Sequence, residues 1–202
     1  HHNGEIAQAE CATGKKFVNY WLHNAHFTIN GDKLAKSAGN IITINDLVEK
    51  GFHPLAYRYW LLQSHYRTTA NFSFESLKSA AQGHTRLRRF VYEELGDVKP
   101  GHNNDEYETQ FLNALHDDLD TPKALSLLSA VLKDENLSRD DKLATIQFMD
   151  SFLELGLSKS RDEGLAELGT VSTSEIPEEV QELLEARETA RKEKNGEEAD
   201  RL

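Results

Sequence analysis

The chain has 202 residues, of which 38% are hydrophobic and 28% charged, and its formal net charge is −11. This suits one large domain or two small ones with a highly charged surface, and it argues against general nucleic-acid binding, which draws most of its affinity from Lys and Arg; any RNA contact must come from local basic patches. A single cysteine, Cys11, excludes a disulfide framework, and there is neither an apolar run long enough to span a bilayer nor a charged-then-apolar leader, so a soluble cytoplasmic protein with no membrane partner is expected.

The chain opens on His1-His2 without a Met, which by itself reads as a tag remnant or as a cut from something longer. Residues 4–12 are good helix formers, and Thr13-Gly14-Lys15 reads as their stop. Phe17 to Ile29, rich in aromatic and β-branched residues, reads as strand with breaks. Asn30-Gly31-Asp32 is a turn, and Lys33 to Asn40, with small residues and little apolar content, is a loop. A helix is predicted from Thr43 to Lys50, capped by Thr43 or Asn45 and ended by Gly51. Another runs from Pro54 to Ser64, where Leu55, Tyr59 and Leu62 keep helical spacing. His65 to Phe72 is a connector. A third helix is expected over about 73–95, with Leu77, Ala81, Leu87, Val91 and Leu95 along it, followed by a polar linker over 96–104.

From Asp105 the chain reads as helical again. Tyr107 to Leu115 is one helix; Asp120-Thr121-Pro122 is a start signature for the next, Lys123 to Asp134; and Asp140 to Leu155 is ended by Gly156. Lys159 to Ser174 is polar and reads as a linker, and Glu175 to Leu202 as a final helix with Ile176, Val180, Leu183 and Leu184 apolar. Most of the negative charge falls in residues 150–202. The fold class is therefore mainly α, with a short α/β remnant, a helical middle and a helical C-terminal region.

Gly31-Asp32-Lys33-Leu34-Ala35-Lys36-Ser37-Ala38-Gly39-Asn40 is the most specific stretch. Taken alone, K-x-x-K-S is a solvated turn. Its flanks, Asn19-Tyr20-Trp21-Leu22-His23-Asn24 upstream and His65-Tyr66-Arg67-Thr68-Thr69-Ala70-Asn71-Phe72-Ser73 downstream, change that reading. Together they resemble the KMSKS region of class I aminoacyl-tRNA synthetases, and specifically the cysteinyl-tRNA synthetase family, continuously over residues 1 to about 95. The resemblance implies that Lys33 and Lys36 act catalytically on the phosphates of bound ATP, with Ser37 at the final serine position. Two lysines on a mobile loop meet the charge that builds as pyrophosphate leaves, where binding energy accelerates chemistry. Leu34 stands for the family's Met and keeps an apolar anchor; Ala35 stands for its Ser and loses a hydroxyl.

His1-His2-Asn3-Gly4-Glu5-Ile6-Ala7-Gln8 is similar to the family's H-H-x-N-E-I-A-Q stretch, with Asn3-Gly4 in place of the common Glu-Asn. By position, the resemblance implies that His1 and Glu5 are zinc ligands, completed in the family by two cysteines earlier in the chain. His and Glu four apart on a helix project from one face. A zinc-bound substrate thiolate separates cysteine from serine far better than pocket shape can. Cys11 is not assigned as a ligand.

Phe111 to Leu125, with Asp117-Asp118-Leu119-Asp120-Thr121-Pro122 at its centre, resembles the start of the family's helical anticodon-recognition domain; its acidic run is expected to serve capping and the helix dipole. Ile176-Pro177-Glu178-Glu179-Val180, with Arg187, Arg191, Lys194 and Ala199-Asp200-Arg201-Leu202, looks like part of the family's last helical hairpin. Arg86, Arg88 and Arg89 offer either a tRNA phosphate contact or an ordinary exposed helix face.

The resemblance thus implies the C-terminal remnant of a Rossmann-type catalytic α/β domain over 1–42, a helical connecting region over 43–98, a helical-bundle anticodon-binding domain over 103–158, and a truncated helical hairpin over 175–202. It implies a cysteine–tRNA ligase whose partners are cysteine, ATP with Mg and tRNA(Cys), with zinc as cofactor, acting as a monomer. This stretch alone is expected to be inactive and to bind zinc weakly. Two alternatives are the mycothiol-pathway cysteine ligase, which joins cysteine to an amino-sugar, and a noncatalytic tRNA-binding helical module. The anticodon-type segment over 105–133 and the charged C-terminal stretch disfavour the first, and retained Lys33, Lys36, His1 and Glu5 disfavour the second.

Overall fold

A computed structural model describes residues 1–26, 28–29, 31–33 (backbone only at 32 and 33) and 42–169. The architecture is mainly helical: α1 (Asn3–Thr13), β1 (Thr28–Ile29), β2 (Asp32–Lys33), α2 (Ile44–Glu49), α3 (Pro54–Leu62), β3 (Asn71–Phe72), α4 (Phe74–Arg89), α5 (Asp105–His116), α6 (Thr121–Lys133), α7 (Arg139–Leu153) and α8 (Arg161–Glu167). The strands form one small sheet in the order β2-β1-β3, with β1 antiparallel to β2 and parallel to β3. None of the described helices is long and apolar enough to cross a membrane.

Local chemistry sets most helix starts. Thr43 and Asp46 form a reciprocal capping box on α2, and Ser73 and Ser76 form one on α4. Asn104, Asp120 and Ser138 cap α5, α6 and α7, each accepting from a first-turn backbone N–H. Gly51 follows α2 at φ 82°, a backbone conformation that side chains resist.

The apolar faces build two cores. In the smaller, Ile29 and Phe72 from the sheet pack with Leu47 of α2, Trp60 of α3, and Leu77 and Ala80 of α4. The larger unites the end of α4 with α5, α6, α7 and the chain beyond, through Val91, Tyr92, Phe111, Leu128, Ile146 and Leu155. Tyr59 of α3 borders both.

The two cores are tied where the chain reverses after α7. The buried Asp150 carboxylate accepts from the backbone N–H groups of Leu155 and Leu157, at 2.7 and 2.8 Å, and from the Ser158 hydroxyl at 3.2 Å. The turn's carbonyls are taken by other helices: Arg58 Nε of α3 donates to Leu153 O (2.6 Å), His84 Nε2 of α4 to Leu155 O (2.8 Å), and the Tyr92 hydroxyl to Gly156 O. Backbone groups buried in such a turn would otherwise cost the loss of their water hydrogen bonds.

Several segments differ from the sequence expectation. Among the described residues of the aromatic stretch from Phe17 to Ile29, strand forms only at Thr28–Ile29, where β2 and β3 offer ladder partners; Tyr20, Trp21 and Leu22 stay exposed. The helix expected over about 73–95 is α-helical to Arg89 and then continues as a π-helical turn, Phe90–Glu94. α7 stops at Leu153 rather than Leu155, with Glu154 in the left-handed region at φ 54°, since Asp150 captures the next backbone donors. Residues 159–174, expected to be a linker, contain α8, started by a Ser160–Glu163 capping box. Arg88 is not on an exposed face: it is 2% exposed and donates to Glu167 of α8 at 2.6 Å, while Arg86 and Arg89 remain exposed. The expected final helix over 175–202 lies outside the described residues.

α8 is seated by its buried Gly164, whose added Cβ would fall 2.4 Å from the Tyr92 ring. Gly164→Ala is therefore expected to lower unfolding stability by about 1–3 kcal/mol in urea titrations, as overpacking does. A second expectation concerns pH. Burial holds the His84 imidazole below its ordinary value of 6.5, aided by Arg88 and opposed by the Leu155 carbonyl. A base depressed in the native state is protonated first in the unfolded chain. Its contribution is thus full above about pH 6.5 and is lost as pH falls below that value. The urea midpoint should drop between about pH 7.5 and about pH 5.5, and His84→Asn, which keeps a donor for Leu155 O, should reduce that drop.

Candidate functional site

α1 presents its N-terminal end to the segment that follows it. None of its residues is buried, so its chemistry lies at the ends. His2, the residue before the helix, stacks on Trp21 with ring centroids 4.4 Å apart, and its Nε2 lies 2.9 Å from His23 Nε2. Ligand nitrogens of His1, His2 and His23 all lie within 4.8 Å of one another. Glu5 joins this group through His2, its Oε1 lying 3.5 Å from His2 Nδ1. A backbone hydrogen bond to its own N–H, and then the His2 imidazole, hold the Glu5 carboxyl below its usual range.

Of the expected ligands, Glu5 lies in the first turn of α1 but His1 precedes the helix, so they do not share a helix face; the ligand atoms that gather are those of His1, His2 and His23, and Glu5 reaches them only through His2. Imidazole nitrogens are a donor type zinc accepts, so the three histidines fit part of a zinc shell, with the Glu5 carboxylate behind His2. Sequence reading gave His23 no chemical role, although it lies inside the Tyr20-Trp21-Leu22-His23 flank; only the fold brings it to His2. Cys11, on the same helix, is exposed.

The expected lysine loop begins at the β1–β2 hairpin. Lys33 ends β2, its backbone paired in register with Thr28. Lys36 and Ser37 lie outside the described residues. The hairpin turn at Gly31 (φ 87°) is held from the side: Asn71 Oδ1 accepts from Gly31 N at 2.8 Å and from the Thr28 hydroxyl at 3.0 Å. Asn71 belongs to the strap His65–Phe72, which also receives Ala25 N on Tyr66 O (2.7 Å) and Thr28 N on Ala70 O (3.0 Å). The strap and residues 21–25 wall a polar crevice of about 330 Å³ containing His23 and Arg67. On its other side the strap reaches the α5–α6 turn, where the Tyr66 hydroxyl donates to Asp118 Oδ1 at 2.6 Å and Arg67 Nε lies 3.2 Å from Asp118 Oδ2.

The acidic run divides its labour. Asp120 caps α6, as expected, accepting from Lys123 N at 3.1 Å. Asp118, expected to serve capping or the helix dipole, instead faces the strap. It had no sequence signal of its own, because its partners lie more than 50 positions away.

Residues 1–82 match the family described as tRNA synthetases class I (C) catalytic domain, and residues 173–202 match the Cysteinyl-tRNA ligase anticodon binding domain. The chain is 36% identical over 225 residues to a cysteine–tRNA ligase of Treponema denticola, covering 100% of this chain and 45% of that protein. It is 39% identical over 207 residues to the cysteine–tRNA ligase of Legionella pneumophila subsp. pneumophila, and 38% over 210 residues to that of Chlamydia abortus; both cover 100% of this chain, and 43% and 44% of those proteins. The chain therefore spans less than half the length of these relatives. Matched along its whole length to such enzymes, and by separate stretches to their catalytic and anticodon-binding domains, the chain belongs to the cysteinyl-tRNA synthetase family.

Proposed function

We propose that this chain is part of a cysteine–tRNA ligase, which activates cysteine with ATP to the cysteinyl-adenylate and transfers it to tRNA(Cys). The observation that carries this reading is that the stretch matching the class I catalytic domain contains both the His1–Glu5 ligand end and the hairpin that ends at Lys33. In this reading residues 1–42 end a Rossmann-type catalytic domain, 43–98 connect it, 103–158 form a helical anticodon-side domain and 175–202 belong to a terminal hairpin. The enzyme works as a cytoplasmic monomer.

Adenylate formation joins the cysteine carboxylate to the α-phosphate and expels pyrophosphate. Lys33 and Lys36 neutralise charge that grows on the phosphates as that bond breaks, and Ser37 adds a hydroxyl contact. Such interactions lower the barrier because they strengthen in the transition state. Asn71 contributes indirectly, by fixing the Gly31 turn from which the lysine loop departs. His1 and Glu5 would hold zinc with ligands from outside this chain. When bound, zinc favours a soft thiolate over a hydroxyl, which is how a small site can reject serine.

In the full-length protein that contains this sequence, cysteine-dependent exchange of labelled pyrophosphate into ATP is expected, with cysteine then appearing on tRNA. Lys36→Ala and Lys33→Ala should each lower kcat by about 10²–10³-fold with little change in KM for cysteine. No exchange by the unaltered protein would overturn the reading, and residues 1–202 alone should show none. Metal analysis supplies a second check. His1→Ala and Glu5→Gln should each strip zinc from the full-length protein, whereas zinc retained in both variants would move the ligand set elsewhere.

A further inference from the structure

We infer that Asp118 is a positioning residue, a bolt through which the helical bundle holds the strap His65–Phe72, and with it the His23 segment and the hairpin that leads to Lys33. The mechanical part of this inference stands on geometry alone; its kinetic part rests on the ligase reading.

Asp118 sits in an unusual backbone. It and Leu119 both occupy the left-handed region, at φ 55° and 58°. Two successive side-chain-bearing residues hold this conformation only where surrounding contacts demand it. Part of that demand is local, since Leu119 N donates to Leu115 O at 3.1 Å and Asp120 N to Ala114 O at 3.0 Å as α5 ends; the turn so formed presents Asp118 to three consecutive strap residues. His65 Nε2 donates to Asp118 O at 2.9 Å, the Tyr66 hydroxyl donates to Oδ1 at 2.6 Å, and the Arg67 guanidinium pairs with Oδ2 at 3.2 Å. Arg67 Nε also donates to the Tyr66 hydroxyl at 2.9 Å, so the donors are ordered among themselves. Asp118 and Arg67 are 44% and 67% exposed at the side chain, and an exposed ion pair alone adds little to stability. Spread over several donors from one segment, the contact serves to fix where that segment lies.

The strap passes the constraint on. Tyr66, held at its hydroxyl by Asp118, accepts Ala25 N at its carbonyl, and Ala25 lies two residues from His23. At the far end Ala70 O receives Thr28 N, and Asn71 holds the Gly31 turn. A displacement at Asp118 therefore reaches both the histidine group and the β1–β2 hairpin through backbone hydrogen bonds.

Asp118→Gly separates the bolt from the strain, because glycine accepts the left-handed backbone and carries no carboxylate. Asp118→Asn tolerates the same backbone and keeps an acceptor for Tyr66, but loses the charge. Amide hydrogen exchange on residues 1–202 is the measurement. In Asp118→Gly the Ala25 and Thr28 amides should exchange at least about tenfold faster, with Ile146 in α7 unchanged, and Asp118→Asn should lie between. An unchanged Ala25 rate, or Ile146 accelerated by the same factor, overturns the inference, the latter because Asp118 would then be serving bundle stability alone. In the full-length protein Asp118→Gly should lower kcat for pyrophosphate exchange severalfold more than it raises KM for ATP; an unchanged kcat removes the positioning role. If the unaltered protein shows no exchange, the ligase reading fails and hydrogen exchange decides the bolt by itself.

Discussion

The chain reversal after α7 is the constraint on which the rest of the structure depends. Its polar backbone lies among helices, and each exposed end of a peptide group is met by a side chain from a different element: Asp150 from α7, Arg58 from α3, His84 from α4 and Tyr92 from the π turn. A single buried carboxylate organises the donor side, and three unrelated donors organise the acceptor side. Helices far apart in sequence are thereby fixed relative to one short turn. The same turn leads into Ser160, where α8 starts and brings Glu167 to Arg88 and Lys159.

This hub explains why the two cores behave as one support for the sheet. α3 and α4 each have a face in the small core and a polar residue on the reversal. The sheet rests on the small core through Ile29 and Phe72, and it is from this sheet that β2 carries the chain toward the lysine motif. Two-residue strands have little stability of their own. Their position is inherited from the strap and the helices beneath, so the geometry near Lys33 is set mainly by residues distant from it.

Helix existence was legible in the sequence where a cap stood, as at Thr43 and Asp120, or where apolar residues kept helical spacing, as from Pro54 and over about 73–95. Fold membership was legible from short motifs and their flanks. What escaped had a common cause: interactions between residues distant in the chain. Asp118 looked like one more acid in a capping run, Arg88 like one of three exposed arginines, and residues 159–174 like a linker, because α8 is too short to show a period and depends on Gly164 meeting Tyr92. Phe17 to Ile29 had strand composition without partners over most of its length. At the candidate site, the expectation for His1 and Glu5 came from the family resemblance, whereas the approach of His23 to His2 needed the fold.

The π-helical turn at Phe90–Glu94 amounts to an α-helix carrying one residue too many. Each residue of an α-helix advances the direction of its side chain by roughly 100°. The surplus residue therefore resets the phase of the helix, letting neighbours Val91 and Tyr92 both face inward, one to the bundle and one to Gly156 and Gly164. Shortening this turn by one residue would yield a more regular helix end and a worse protein, since Leu95, buried in the larger core just beyond it, would rotate out of place. The segment thus acts as a ruler for chain length: here the residue count itself carries structural information.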